Sequence, residues 1–366
     1  MDMYSTPNGM NNESNGGLSD QKTLKKNDNN NNNKNNNTKI ITAFTYPSDN
    51  PPLIKLLNEG NTTYMNSCIQ CLINIEDISL HYLNNLNIIK DSLKKMPISY
   101  TFSRIIFHLF PNPNTPYKKD YSIETFHQTT IYLNPLFKGK KTKDAIDFLI
   151  FLVNLLNEEE DKVIQNKNKK SIIFETFSWV SQKKEICLEC KEETKTTHNY
   201  FTFDLEFQNG FNKTIINNKN EISIIDCLKY TLESNKIYNI FCRKCEMKKV
   251  FEKKSYIQSS QKYLILLLRE IDNQKLRNHN IEIKIDEILD LSSLINDKSH
   301  KNIYRINGMI FYDPEKIEYM SFSVNPINKK WYYYEKDQIN QYELKDINNK
   351  EFLKKRYPVI LFYKRD

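Results

Sequence analysis

Long apolar runs are missing from this chain of 366 residues. No stretch reaches the roughly 18 consecutive apolar residues that a spanning helix needs, so a membrane partner is not expected. The opening segment, MDMYSTPNGMNNESNGG, has no apolar core of the kind a secretory signal carries. The expected compartment is therefore cytosol or nucleus, where thiols stay reduced. Internal repeats are missing too, and so is any dominant block of one charge. The net charge is +8, but residues 1–50 carry five Lys and five acidic residues. The excess belongs to residues 51–366, where Lys is scattered among Asp and Glu. The densest basic spots, FKGKKTK (137–143) and KNKK (167–170), are short. They read as solvated surface rather than as a nucleic-acid site.

What is present is ample core material. Hydrophobic residues make up 39% of the chain and aromatics 12%, with 22 Tyr and 20 Phe. The length suits one large domain or two smaller ones. Residues 1–44 stand apart: their first 40 contain NDNNNNNKNNN (27–37) and almost nothing apolar. Such a segment cannot offset its ordering entropy and is expected to be a disordered tail, with an Asn-rich self-association tract as the alternative.

From about residue 45 the pattern is globular. YMNSCIQCLINI (64–75) places Met65, Ile69, Leu72 and Ile73 on one helical face. DAIDFLIFLVNLLNEEED (144–161) is apolar nearly all round before it ends in acids, which predicts a buried helix. After about 170 the period changes to two. YFTFDLEF (200–207) alternates, with Phe201, Phe203, Leu205 and Phe207 on one face, and predicts a half-buried strand. KYLILLLREI (262–271), EYMSFSV (318–324) and YPVILFYKRD (357–366) predict further strands. Helices first and strands later indicate an α+β domain.

Spacing sorts the seven cysteines. Cys187 and Cys190 form one CxxC pair, Cys242 and Cys245 another. Each pair can offer two thiolates to one tetrahedral ion, and four sulfurs make a closed site that suits structural Zn2+. The 51 residues between the pairs must fold back for that to happen. Disulfides do not fit a reduced compartment, and four ordinary buried cysteines would leave two CxxC pairs to chance. Cys68, Cys71 and Cys227 sit among apolar residues and are expected in the core.

Several blocks, in order, resemble the ubiquitin-specific proteases. LLNEGNTTYMNSCIQCL (56–72) is similar to that family's cysteine box, GLxNxGNTCYMNSxLQxL. KKTKDAIDFLIFLVNLL is similar to QQDAxEFLxxLLxxL, and QKYLILLLREI to PxxLxxxLKRF. The CxxC pairs match its zinc-bearing fingers. YRINGMIFYDPEKIEYMSFSV resembles the histidine box, WYYYEKDQI resembles WxxFDDxxV, and YPVILFYKR resembles AYxLFYxR. The resemblance implies a papain-like cysteine-protease fold over 45–366. It comprises a helical thumb (about 60–165), zinc-ribbon fingers (about 170–260) and palm strands (about 260–366). It also implies ubiquitin, or a ubiquitin-like protein, as the partner held by palm and fingers.

The catalytic residues do not carry over. The nucleophile position holds Thr63, the general-base position Glu318 and the orienting position Glu335, while Tyr312 replaces an accessory histidine. A hydroxyl is far less acidic than a thiol, and a carboxylate near pKa ~4.3 is a poor base for it. A second Glu raises one carboxyl pKa by repulsion but restores no imidazolium for the leaving amine. Losing one triad member costs decades of rate, and here all three differ. Rescue by Cys68 is disfavoured: on an ideal helix it lies about 7.5 Å further along and roughly 140° round from Thr63. None of the six histidines falls in a matching block; His127 has no evident partner and His300 reads as a loop residue. Asn58 matches the family's oxyanion-hole residue, and as a turn former with Gly60 it has a plainer role; Asn66 and Ser67 then serve the helix end. Asp144 matches an acid near the family's cleft and equally suits a helix N-cap. Trp331 and Tyr363 are expected in the core. The expectation is a catalytically degenerate domain that binds ubiquitin or a ubiquitin-like protein without cleaving it. A residual deubiquitinase with unusual chemistry, and a scaffold in a complex such as the spliceosome, are the alternatives.

Overall fold

The computed structural model describes Tyr46 and residues 53–110, 119–139, 141–164, 169–205, 221–269, 282–336, 338–347, 350–353 and 355–366. The expected Asn-rich tail lies outside these residues. All the described residues belong to one compact unit within 43–366.

Helical periodicity dominates its first part. After a two-residue strand, β1 (Lys55–Leu56), come α1 (Thr63–Ile73), α2 (Glu76–Asn84), α3 (Leu86–Asp91) and α4 (Pro97–Leu109). β2 (Asp120–Tyr121), which pairs with β1, precedes α5 (Glu124–Leu133), α6 (Ala145–Asp161) and α7 (Ile172–Phe177). In α1 every residue except Asn66 is buried, because the helix lies between α6 on one side and the large sheet on the other. That explains a sequence apolar or small nearly all round. No helix among the described residues is long and apolar enough to cross a membrane.

The acidic end of α6 is not a solvent-facing terminus. Glu159 and Glu160 are buried. Glu159 accepts from the backbone N–H groups of Ile98 and Ser99 (3.1 and 2.8 Å) at the start of α4, whose own N-cap residue, Met96, makes no side-chain cap. Glu160 accepts from Ile172 N at the start of α7 (2.9 Å). One helix thus supplies carboxyl oxygens that accept from the unpaired N–H groups at the amino ends of two others.

The second part is β-rich: β3 (Trp179–Cys187), β4 (Glu193–Tyr200), β5 (Phe203–Asp204), β6 (Glu221–Ser223), α8 (Ile224–Leu232), β7 (Asn235–Cys242), β8 (Met247–Ser260) and β9 (Tyr263–Leu267). Then follow β10 (Glu282–Lys284), β11 (Ile288–Asp290), β12 (Ile303–Asp313), β13 (Glu318–Val324), β14 (Trp331–Glu335), β15 (Gln338–Tyr342), the one-turn helices α9 (Leu344–Ile347) and α10 (Lys350–Leu353), and β16 (Tyr357–Arg365). The main sheet runs β15-β14-β13-β12-β16-β9-β5, with β11 also on β12; a second sheet runs β4-β3-β8-β7.

The apolar run in β9 is explained by burial on both faces. Tyr263, Ile265 and Leu267 join the core under the helices, while Leu264, Leu266 and Leu268 join a second core on the opposite face. β16 divides the same way, Ile360 and Phe362 against Leu361 and Tyr363. A two-residue period with both faces covered needs apolar residues at every position. Trp331 is only partly buried, against the second core.

The alternating stretch 200–207 is a correction. Only Phe203 and Asp204 form a strand there; Tyr200 ends β4, and Phe201 and Thr202 make a bend where Trp179 Nε1 donates to Thr202 O (3.0 Å). Phe207 lies outside the described residues.

Candidate active site and metal centre

The loop before α1 uses two left-handed residues in succession, Gly60 (φ 69°) and Asn61 (φ 72°), to turn the chain into the helix. Asn58 Oδ1 accepts from Thr62 N (2.8 Å) and from the Thr62 hydroxyl (3.2 Å), and Thr62 Oγ1 accepts from Glu59 N (3.0 Å). The loop thus closes on itself through Asn58. Asn66 does not serve the helix end, as the sequence suggests; its Nδ2 donates to Leu56 O and Leu57 O and pins the preceding strand (3.2 and 3.1 Å).

Thr63 is buried and meets the sheet directly. Its Oγ1 accepts from Tyr319 N at 3.1 Å, joining α1 to β13. Glu318 is the residue before Tyr319, but its carboxylate lies 3.2 Å from Lys336 Nζ. Glu335, at the end of β14, lies 2.7 Å from Lys316 Nζ, which raises the Lys316 pKa. Two crossed ion pairs therefore tie the β12–β13 turn to the end of β14. Both are partly solvated, so each contributes little stability. Tyr312 stacks at a tilt on Tyr319, ring centroids 4.8 Å apart. The cleft between α1, β1 and the ends of β13 and β14 is lined by Thr63, Asn66, Ser67, Gln70 and Glu335, with Lys55 and Lys336. Neither cysteine nor histidine is among its described lining residues.

Cys68, Cys71 and Cys227 are buried and do not line the cleft. Cys68 Sγ lies against Ala145 O (3.4 Å), and Cys71 Sγ lies 3.8 Å from both Met309 O and Phe322 O. Both are fully buried, and burial pushes both thiols up; Cys227 is pushed up to about 12 by the same cause. Asp144 caps α6 by accepting from Ile146 N (2.7 Å). His300 lies exposed in the segment between β11 and β12. His127, for which the sequence suggests no partner, does have acidic company: burial lowers its pKa, and Glu59 and Glu124 oppose that shift. Ser122 Oγ donates to Glu59 Oε1 (2.6 Å) in the same cluster, which does not line the cleft.

The second constellation is the cysteine group. Cys187, Cys190, Cys242 and Cys245 place their sulfurs within 4.8 Å of one another. Cys187–Cys245 is 4.0 Å and Cys190–Cys242 is 3.5 Å. A tetrahedral ion with metal–sulfur bonds of about 2.3 Å requires sulfur–sulfur edges of about 3.8 Å, so the group fits a tetrathiolate site. Each pair ends in a left-handed residue immediately after its second cysteine, Lys191 (φ 61°) and Glu246 (φ 53°). Lys191 N donates to Cys187 O (3.0 Å), closing the first knuckle. The pairs can meet because β3 and β7 both lie beside β8: β3 ends at Cys187, opposite Phe251, and β7 runs past that level to Cys242, opposite Met247.

This architecture has known counterparts. The family profile described as ubiquitin carboxyl-terminal hydrolase matches residues 54–363. The chain belongs to this family. Ubiquitin carboxyl-terminal hydrolase 8 of Saccharomyces cerevisiae is 25% identical over 266 residues, 67% of this chain and 54% of that protein. Hydrolase 12 of the same yeast is 29% identical over 121 residues, 31% of this chain and 10% of that protein. Human hydrolase 3 is 22% identical over 268 residues, 58% and 48% of the two chains. The chain thus spans about half, or much less, of the length of these relatives. Among solved structures, the SAGA Ubp8/Sgf11/Sus1/Sgf73 DUB module bound to ubiquitin aldehyde aligns with a TM-score of 0.68 and 18% identity, covering 89% of this chain and 73% of that one. The same module bound to monoubiquitin gives 0.69 at 18% identity and the same coverage. These likenesses establish the papain-like fold of the family.

Within that fold the structure brings Thr63 and the segment bearing Glu318 together, and leaves both carboxylates facing lysines. Sequence reasoning missed Lys316 and Lys336. The signal available was a pair of Glu-Lys dipeptides, 315–316 and 335–336, but without the hairpin register nothing says which Lys meets which Glu.

Proposed function

We propose that this domain binds ubiquitin, or a ubiquitin-like protein, without cleaving it, and that its four clustered cysteines hold one structural zinc ion. The observation that carries the first part is the state of the triad positions. The Thr63 hydroxyl accepts from a backbone amide, and Glu318 and Glu335 are each neutralised by a lysine. A buried hydroxyl in that setting has no base to ionise it, and no imidazole stands among the described lining residues of the cleft to protonate a leaving amine. Binding is supported by family membership and by the similar modules described as bound to ubiquitin aldehyde and monoubiquitin. Zinc is supported by the sulfur-only donor set, which closes the coordination shell and leaves no position for substrate, so the ion would cross-link strands rather than take part in chemistry.

The test is incubation of the full chain with a fluorogenic ubiquitin C-terminal substrate, beside a calorimetric titration with ubiquitin, ubiquitin chains and ubiquitin-like proteins. No turnover with saturable binding is expected. Turnover that disappears in Thr63→Ala would overturn the inactive reading, and absence of binding to every one of these proteins would overturn the binding reading.

A further inference from the structure

The two cysteine pairs reach one point because β7 carries one residue more than the stretch of β8 beside it. β7 pairs with β8 as Asn235↔Lys253, Lys236↔Glu252 and Ile237↔Phe251, then resumes as Ile240↔Lys249, Phe241↔Lys248 and Cys242↔Met247. Tyr238 and Asn239 stand opposite Val250 alone, and Asn239 has φ 61°. This is a β-bulge, and it changes the phase of everything beyond it. In an uninterrupted strand Ile237 and Cys242, five apart in sequence, would point to opposite faces. Directly paired residues share a face, and Phe251, Lys249 and Met247 alternate on one face of β8. Ile237, Ile240 and Cys242 therefore share that face too. The packing agrees. Cys187, Cys242 and Phe251 form one small apolar cluster with Ile237 against it, whereas Tyr238 and Phe241 are 65% and 61% exposed.

We propose that Asn239 is the positioning residue of the metal centre. Its left-handed backbone inserts the extra residue that turns Cys242, and with it Cys245, toward Cys187 and Cys190. Asn is, after Gly, the residue that takes this conformation at least cost, while a β-branched residue is strongly disfavoured there. The inference rests on the zinc reading above and adds to it a residue that touches no ligand.

Three variants of the full chain test it: Asn239→Gly, Asn239→Val and deletion of Asn239. The readouts are zinc per chain by mass spectrometry, zinc affinity by chelator competition, and the sulfur-to-metal charge-transfer band after Co2+ exchange. Circular dichroism checks folding. Asn239→Gly keeps wild-type affinity and the tetrathiolate band. Asn239→Val binds zinc about ten-fold more weakly, the equivalent of the left-handed penalty. The deletion loses the tetrathiolate band. A wild-type chain that binds no metal would sink the zinc reading itself. A wild-type chain with one zinc, together with Asn239→Val within two-fold of its affinity or a deletion variant that keeps the full band, would overturn the positioning role alone. If the deletion variant does not fold, the comparison of Val with Gly decides.

Discussion

At the scale of single residues, Thr63 behaves as a structural contact between helix and sheet. Replacing it by Val keeps its shape but removes the acceptor for Tyr319 N, a backbone donor that is buried. A buried donor left unpaired costs about 1–3 kcal/mol, so Thr63→Val is expected to lower stability by that amount in urea denaturation. A residue kept for catalysis would show the opposite tendency, because active-site groups are commonly held at the expense of stability. Ile317, just before Glu318, gives a second test. It is exposed and sits at φ 57°, a left-handed position costly for a β-branched side chain. Ile317→Gly should raise stability by about 0.5–1 kcal/mol, the relief of strain reduced by the greater entropy of the unfolded chain. An unchanged or lower denaturation midpoint would argue against strain there.

At the scale of elements, the helical half is tied together by buried acids at the end of α6. Burial raises the Glu159 pKa even though it accepts from Ile98 N and Ser99 N. An acid whose folded pKa is raised binds its proton more tightly in the folded state. Its stabilising contribution is complete below the ordinary Glu value and is lost as pH rises through the raised value. Stability should therefore fall over that interval above the ordinary Glu range, and Glu159→Gln should flatten the fall in denaturation curves recorded from pH 4 to 7. A slope unchanged by the substitution would remove Glu159 as its cause. The β4-β3-β8-β7 sheet depends on something else. Its far end is held by a core of just Cys187, Cys242 and Phe251, with Cys190, Ile237 and Cys245 packed against it. So small a core cannot hold strands together unaided. Chelation, or Cys245→Ser, is expected to open β7 and the adjoining end of β8 to rapid hydrogen exchange, while β9, β12 and β16 remain protected. Uniform loss of protection would show that the two sheets unfold as one unit.

At the scale of the whole molecule, much of the fold was legible because its signals are local. The helix Ala145–Asp161 and the strands Glu318–Val324 and Tyr357–Arg365 follow from periodicity that one segment carries by itself, as does the strand expected over 262–271, which the structure shortens to Tyr263–Leu267, with residues 270–271 outside the described ones. The CxxC pairs were legible for the same reason, since a knuckle is built by four adjacent residues. The misreading at 200–207 shows the limit: alternation marks a surface buried on one side, but the bend at Phe201 and Thr202 ends one strand and begins another in a different sheet. Periodicity cannot say which sheet a strand joins.

The residues at the three positions that the resemblance matches to a triad can be read from the sequence alone: Thr63, Glu318 and Glu335, a hydroxyl and two carboxylates. Only the tertiary structure decides what those groups do instead. Thr63 and Tyr319 lie 256 positions apart and meet because α1 packs on β13. Glu318 and Glu335 are neutralised because a hairpin brings Lys336 and Lys316 across to them. The same division holds at the four-cysteine cluster, where the chain supplies four sulfurs and the pairing of β7 with β8, interrupted by one extra residue at Asn239, accompanies their convergence. The composition of a site is written along the chain. Its geometry depends on register and packing between distant segments, which no local pattern encodes.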